Sequence, residues 1–143
     1  MTLRKSFIIK KIELTKKYLA EAEVFFQHTD EEILHSPEKL HIAERLLQLI
    51  VDTVLDINKH IIKEQNLETP DDLQGTFETL SDNHIFEKEF AQQIGKVVGL
   101  RNRIVHQYET VDNKQFIKDF RKNRSDFDEY FKQLIAYLDK KNF

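Results

Sequence analysis

Apolar residues recur at intervals of three and four along most of the chain, the spacing of one helix face rather than the alternation of a strand. The pattern is cleanest behind Ser36 and Pro37, where Leu40, Ala43, Leu47, Ile50, Val54, Ile57 and Ile61 form one stripe. A serine followed by a proline has the form of an N-cap with proline at the first helical position, where its missing N–H would be unpaired anyway. The spacing therefore predicts a long helix from Pro37. Ile8, Ile12, Leu19, Ala22 and Phe26 predict an earlier helix running through about residue 27. Phe116, Phe120, Phe127, Phe131, Leu134 and Leu138 predict a final one from about Asn113 to Lys140. Thr69 and Pro70 open a short helix with Leu73, Phe77 and Leu80, interrupted by Ser81, Asp82 and Asn83; a further helix runs from about Ile85 through "LRNRIVHQYE" at 100–109. The acidic "TDEE" between His28 and His35 reads as a loop. With three glycines and two prolines the chain has few of the breaks a many-stranded fold needs. The fold class is all-α, an up-down bundle of four main helices plus a short extra helix, in a single domain over 1–143.

One helix breaks its own pattern. At about 100° per residue, with Phe90 at zero, Val97, Ile104 and Tyr108 fall within about 40° of zero, with Ile94, Val98 and Val105 on one flank. Arg101 falls near 20°, in the middle of this core-facing stripe and in line with Tyr108. A guanidinium cannot shed its proton, so burying it alone is strongly unfavourable. It must reach water along its stem, pair with an acid on another helix, or line a cleft. Gly95, Gly99, Asn102 and His106 share a second side, near 120–180°. Glycine inside a helix costs about 1 kcal/mol relative to alanine, so two spaced four apart imply close approach by another backbone. That backbone belongs either to a helix of the same chain or to the same helix of a second subunit. In the second case a two-fold axis brings two copies of Arg101 and His106 into one cleft.

Composition narrows the chemistry. A net charge of -3 gives no reason for tight, sequence-independent nucleic-acid binding, although a local basic site is compatible with it. Cysteine is absent, which excludes disulfides and thiolate catalysis and suits a reducing compartment. The longest apolar runs, such as "LLQLIV", fall far short of the ~20 residues a membrane helix needs. No leader peptide is evident at the N-terminus, and a cytoplasmic location is expected. His28, His35 and His41 lack a second ligand at metal-binding spacing, so no metal is expected. Asp56 and His60, four apart on one helix, are expected to share a hydrogen bond. The pairs Lys10-Lys11 and Lys16-Lys17 and the run "FRKNR" at 120–124 read as solvated faces that double as phosphate contacts if a nucleic acid binds. Tyr18, Tyr130 and Tyr137 read as packing residues.

The pattern R-x-x-x-x-H-x-Y, written here as Arg101-N-R-I-V-His106-Q-Tyr108, resembles the signature of HEPN-domain proteins, specifically the HepT-like toxins of toxin–antitoxin pairs. The blocks "TFETLSDNHIFEKEFAQQIGKVVGLRNRIVHQYETVD" and "AERLLQLIVDTVLDINKHIIKE" are similar to that family's central part and second helix, and the likeness covers most of the chain. The resemblance implies a homodimer joined through the motif helix. It implies a metal-independent RNA endonuclease without cofactor, the toxin of a type VII pair, whose active site forms between protomers. Arg101 and His106 match the catalytic pair, Asn102 the polar residue after the arginine, and Tyr108 the tyrosine to which the antitoxin, a minimal nucleotidyltransferase, adds AMP. The alternative is a catalytically inactive HEPN module that binds a nucleotidyltransferase. The residue types suit the reaction: imidazole serves as acid or base near neutrality, and a guanidinium fork matches phosphate oxygens and the charge of a phosphorane.

Overall fold

The computed structural model describes residues 4–106 and 112–141. Six helices follow one another: α1 (Lys5–Phe25), α2 (Asp30–Leu34), α3 (Pro37–Glu64), α4 (Gly75–Asp82), α5 (Lys88–His106) and α6 (Asn113–Lys140). No strand occurs among the described residues.

The expected stripe of α3 is buried in full, and Leu46, Val51, Leu55 and Ile62 are buried beside it. So wide an apolar arc makes α3 the central helix, in contact with α1, α2, α4, α5 and α6. Its start is as the sequence predicts, with Ser36 Oγ accepting a bond from the Lys39 N–H at 3.2 Å and Pro37 in the first turn. Asp112 caps α6 in the same way through the Gln115 N–H, and the whole phenylalanine and leucine stripe of α6 is buried.

Three boundaries differ from expectation. The "TDEE" stretch is helical, so the bundle carries two short helices instead of one. Thr29 and Glu32 form a reciprocal capping box: the Thr29 hydroxyl accepts from the Glu32 N–H at 3.1 Å while Glu32 Oε1 accepts from the Thr29 N–H at 2.9 Å. Ile33 is then fully buried. Helix α4 begins at Gly75 rather than at Pro70, because Asp72 Oδ1 captures the Gly75 N–H at 2.7 Å and holds a turn across the intervening residues. A Cβ on Gly75 would meet Pro70 Cβ at 2.9 Å, so this turn requires glycine. Helix α5 begins at Lys88, three residues after Ile85.

Two helices end on left-handed residues that are not glycine. Asn66 (φ 53) follows α3, with the Leu67 N–H reaching back to the Ile62 carbonyl at 2.9 Å. His84 (φ 63) follows α4, with the Ile85 N–H reaching the Leu80 carbonyl at 2.9 Å. Both are Schellman-type closures. They turn the chain so that Ile85 and Phe86 enter the core before α5 starts.

Polar groups inside the bundle tie helices together. The Tyr130 hydroxyl donates to Asn58 Oδ1 at 2.7 Å, and Asn58 Nδ2 donates to Thr76 Oγ1 at 3.1 Å, joining α6, α3 and α4. Arg121 of α6 donates to the Asp30 carboxylate and to the carbonyls of Phe26 and His28, and its guanidinium lies 4.7 Å from the Phe26 ring centre. It thereby fixes the α1–α2 turn against α6.

Candidate active site

Ile94, Val97, Val98 and Ile104 bury the inner face of α5 as projected, and Arg101 stands among them with 17% of its side chain exposed. Its partner is an acid on another helix, one of the outcomes the sequence left open. Arg101 Nε donates to Asp52 Oδ1 on α3 at 3.0 Å, and Nη1 donates to Asn102 Oδ1 at 3.0 Å. Asp52 is 38% exposed, so the pair lies at the rim of the bundle rather than in a dry core. At such exposure an ion pair contributes at most about 1 kcal/mol to folding. What it fixes is the direction of the guanidinium.

Asp52 was not singled out in the sequence because it lies about 60° beyond Leu55 on the flank of α3, where a charge is ordinary. Its neighbours Val51 and Thr53 are buried. The signal available was an acid on the second block that faces the motif helix, but periodicity alone does not supply that facing.

His106 is exposed at the end of α5. It lies five positions beyond Arg101, which on a helix is about 140° of rotation and about 7.5 Å of rise. The chain therefore holds the two groups on different sides of α5. Asn102 bridges to the guanidinium beside it, the adjacent side chain that carries the charge. The two glycines also separate. A Cβ on Gly95 would meet Gln74 Cγ at 3.3 Å, so its close neighbour is a side chain and not a backbone. A Cβ on Gly99 would meet nothing within 4 Å. Tyr108 lies outside the described residues.

The remaining cations and histidines divide by role. Asp56 pairs with Lys11 at 2.8 Å and not with His60. His60 accepts from the Arg4 N–H at 3.2 Å and stacks on Phe7, and burial holds its pKa below the usual histidine range. His28 and His35 face Glu32 and Glu31 within α2. In the "FRKNR" run Arg121 and Arg124 turn inward over Phe26. Lys122 instead borders a groove of about 780 Å³ between α5 and α6, together with Lys96, Arg103, Asn123 and the acids Asp119 and Asp126. Among the described residues no three His, Asp or Glu side chains cluster as a metal site would.

The sequence model of the HepT-like family, described as ribonuclease HepT-like, matches residues 15–134. The chain belongs to the HepT-like ribonuclease family. The class of activity, endoribonuclease, follows with it. This HepT-like chain is 33% identical over 128 residues to the tRNA nuclease HepT of Aphanizomenon flos-aquae, covering 90% of this chain and 87% of that one. It is 27% identical over 90 residues to the mRNA nuclease HepT of Shewanella oneidensis, 63% of this chain and 68% of that one. Among solved structures, its fold matches a tri-AMPylated Shewanella oneidensis HEPN toxin in complex with an MNT antitoxin, with a TM-score of 0.85 at 22% identity over 93% of this chain and 99% of that one. It also matches YutE, a cytosolic protein of unknown function from Bacillus subtilis, with a TM-score of 0.77 at 21% identity over 97% of this chain and 93% of that one. The HEPN-like fold expected from the motif is thus the fold observed.

Proposed function

We propose that this protein is the toxin of a toxin–antitoxin pair: a metal-independent endoribonuclease that works as a homodimer, with Arg101 and His106 of both protomers in one cleft. The observation that carries this reading is the placement of the two groups on α5. Arg101 is held at the rim by Asp52 and Asn102, while His106 is exposed on a different side of the same helix. A second α5 seated against the open side of Gly99 would bring each His106 toward the other protomer's Arg101.

The chemistry needs no metal if two imidazoles and two guanidinium groups share the cleft. One His106 takes the proton from the ribose 2′-hydroxyl, which attacks the adjacent phosphorus. The Arg101 groups hold the extra negative charge of the phosphorane through N–H donors that match its equatorial oxygens. The other His106 gives a proton to the departing 5′-oxygen. Lys96, Arg103 and Lys122 along the α5–α6 groove are the phosphate contacts for the flanking strand. Tyr108 shares the helix side of Arg101 in projection, so AMP added there by a nucleotidyltransferase antitoxin would set a phosphate beside the arginine and block RNA. The tri-AMPylated fold relative supports this control. No described helix is long and apolar enough to cross a membrane.

The test is RNA cleavage in EDTA by wild-type protein and by Arg101→Ala and His106→Ala. Wild-type protein should cleave with chelator present, and each variant should lose activity by at least about 100-fold while keeping its helical content. Cleavage undiminished in either variant would refute the assignment. Wild-type protein inert on RNA yet stably bound to a nucleotidyltransferase would favour the inactive binding module.

A further inference from the structure

The contact between α3 and α5 assigns a role to a residue outside the motif. Asp52 meets Nε of Arg101, and Asn102 meets Nη1, so two different groups fix one planar guanidinium. Two fixed points on a plane set its rotation as well as its position. The support under Asp52 is firm. Thr53, its neighbour, is buried, donates to the Ile50 carbonyl at 2.9 Å and accepts from Thr15 of α1 at 2.8 Å. Asn102, by contrast, sits on the same helix as Arg101 and moves with it. Asp52 is therefore the group that registers the guanidinium against the rest of the bundle.

We infer that Asp52 is the positioning residue for Arg101, an inference that rests on Arg101 being catalytic. A half-exposed carboxylate 3.0 Å from the guanidinium has two opposed effects on an RNA substrate. It subtracts from the positive charge that draws a phosphodiester in, which weakens ground-state binding. It also holds the donors still, so that they meet the phosphorane without reorganisation, which raises turnover. A residue that merely stabilised the fold would not separate these effects. Removing Asp52 should lower kcat while leaving RNA binding unchanged or tighter, the signature of an interaction realised in the transition state.

The experiment compares Asp52→Ala and Asp52→Asn with wild-type protein on three readouts. Asp52→Ala should lower kcat roughly 10- to 100-fold. Asp52→Asn, which keeps an oxygen able to accept from Nε, should recover most of that loss. Affinity for a non-cleavable 2′-O-methyl RNA should hold or rise about threefold in both variants, because a like charge is gone from the site. The ¹⁵N–¹H signal of Arg101 Nε should shift in Asp52→Ala and report the contact independently of catalysis. A kcat within twofold of wild type in Asp52→Ala, RNA binding that weakens in parallel with kcat, or an unchanged Nε signal would each overturn the inference. If Arg101→Ala cleaves as wild type, the catalytic assignment of Arg101 has failed instead, and the Nε signal still reports whether Asp52 holds the guanidinium.

Discussion

Replacing Tyr130 by phenylalanine deletes one oxygen from the most enclosed part of the bundle and nothing else. The ring keeps its neighbours, with centroids 5.0 Å from Phe86, 5.4 Å from Phe131 and 6.2 Å from Phe77. What disappears is the bond to Asn58 Oδ1, together with a longer contact at 3.4 Å to the Val54 carbonyl, and both Tyr130 and Asn58 are fully buried. The amide oxygen is left without its 2.7 Å donor in a site closed to solvent. An orphaned buried acceptor costs about 1–3 kcal/mol, which for a chain of this size is a fall in Tm of about 3–9 °C. Urea unfolding at fixed protein concentration measures it, since the midpoint of any protein that self-associates moves with concentration. The pH dependence gives a second handle. Burial raises the Tyr130 pKa well above its ordinary value, so the folded phenol keeps its proton where the unfolded one, near pH 10, releases it. Stability from the neutral phenol is fully present below about pH 10 and is lost as pH rises beyond it. The gap between wild type and variant should therefore narrow above pH 10. A loss under about 0.5 kcal/mol at pH 7, or a gap that widens in alkali, would refute this account of the core.

Two further outcomes follow from the local geometry. Arg121→Ala frees the Phe26 and His28 carbonyls and the Asp30 carboxylate, and should cost about 1–3 kcal/mol with faster hydrogen exchange confined to α2 and the end of α1; Arg121→Lys should not restore it, because one ammonium cannot replace the fork. His84→Gly should stabilise by about 0.5–1 kcal/mol in the same urea assay, since the left-handed φ of 63° strains any residue with a Cβ.

How much of this was legible in the sequence depends on what each residue answers to. The long helices answer to periodicity, and Ser36, Pro37 and the stripe of α3 were readable because local chemistry and packing agree there. Helix α2 carried its signature in Thr29 and Glu32, but a run of acids with no following stripe looks like a loop until Ile33 is seen to be buried. The end of α4 was readable from Ser81, Asp82 and Asn83, whereas the end of α3 was not, because Asn66 takes the conformation that usually marks glycine. At the site, projection placed Arg101 on the inner face and predicted that something must meet it, which Asp52 does. It did not identify Asp52, since which flank of α3 faces α5 is decided by the whole bundle. Asn102, which the resemblance marks only as the polar residue after the arginine, meets the adjacent charge of Arg101. The class of substrate came from the family, as no spacing of Arg and His specifies RNA.

The composite cleft is tested most directly by mixing the two inactive variants. Arg101→Ala and His106→Ala proteins are unfolded together, refolded at equal concentration and assayed for RNA cleavage in EDTA beside each variant refolded alone. A mixed dimer keeps one Arg101 and one His106, from different protomers, in the shared cleft, enough for one of the two proton transfers, so the mixture should cleave measurably faster than either variant alone yet well below wild type. A mixture as inactive as its components, with mixed dimers demonstrated by mass, would contradict a site shared between protomers.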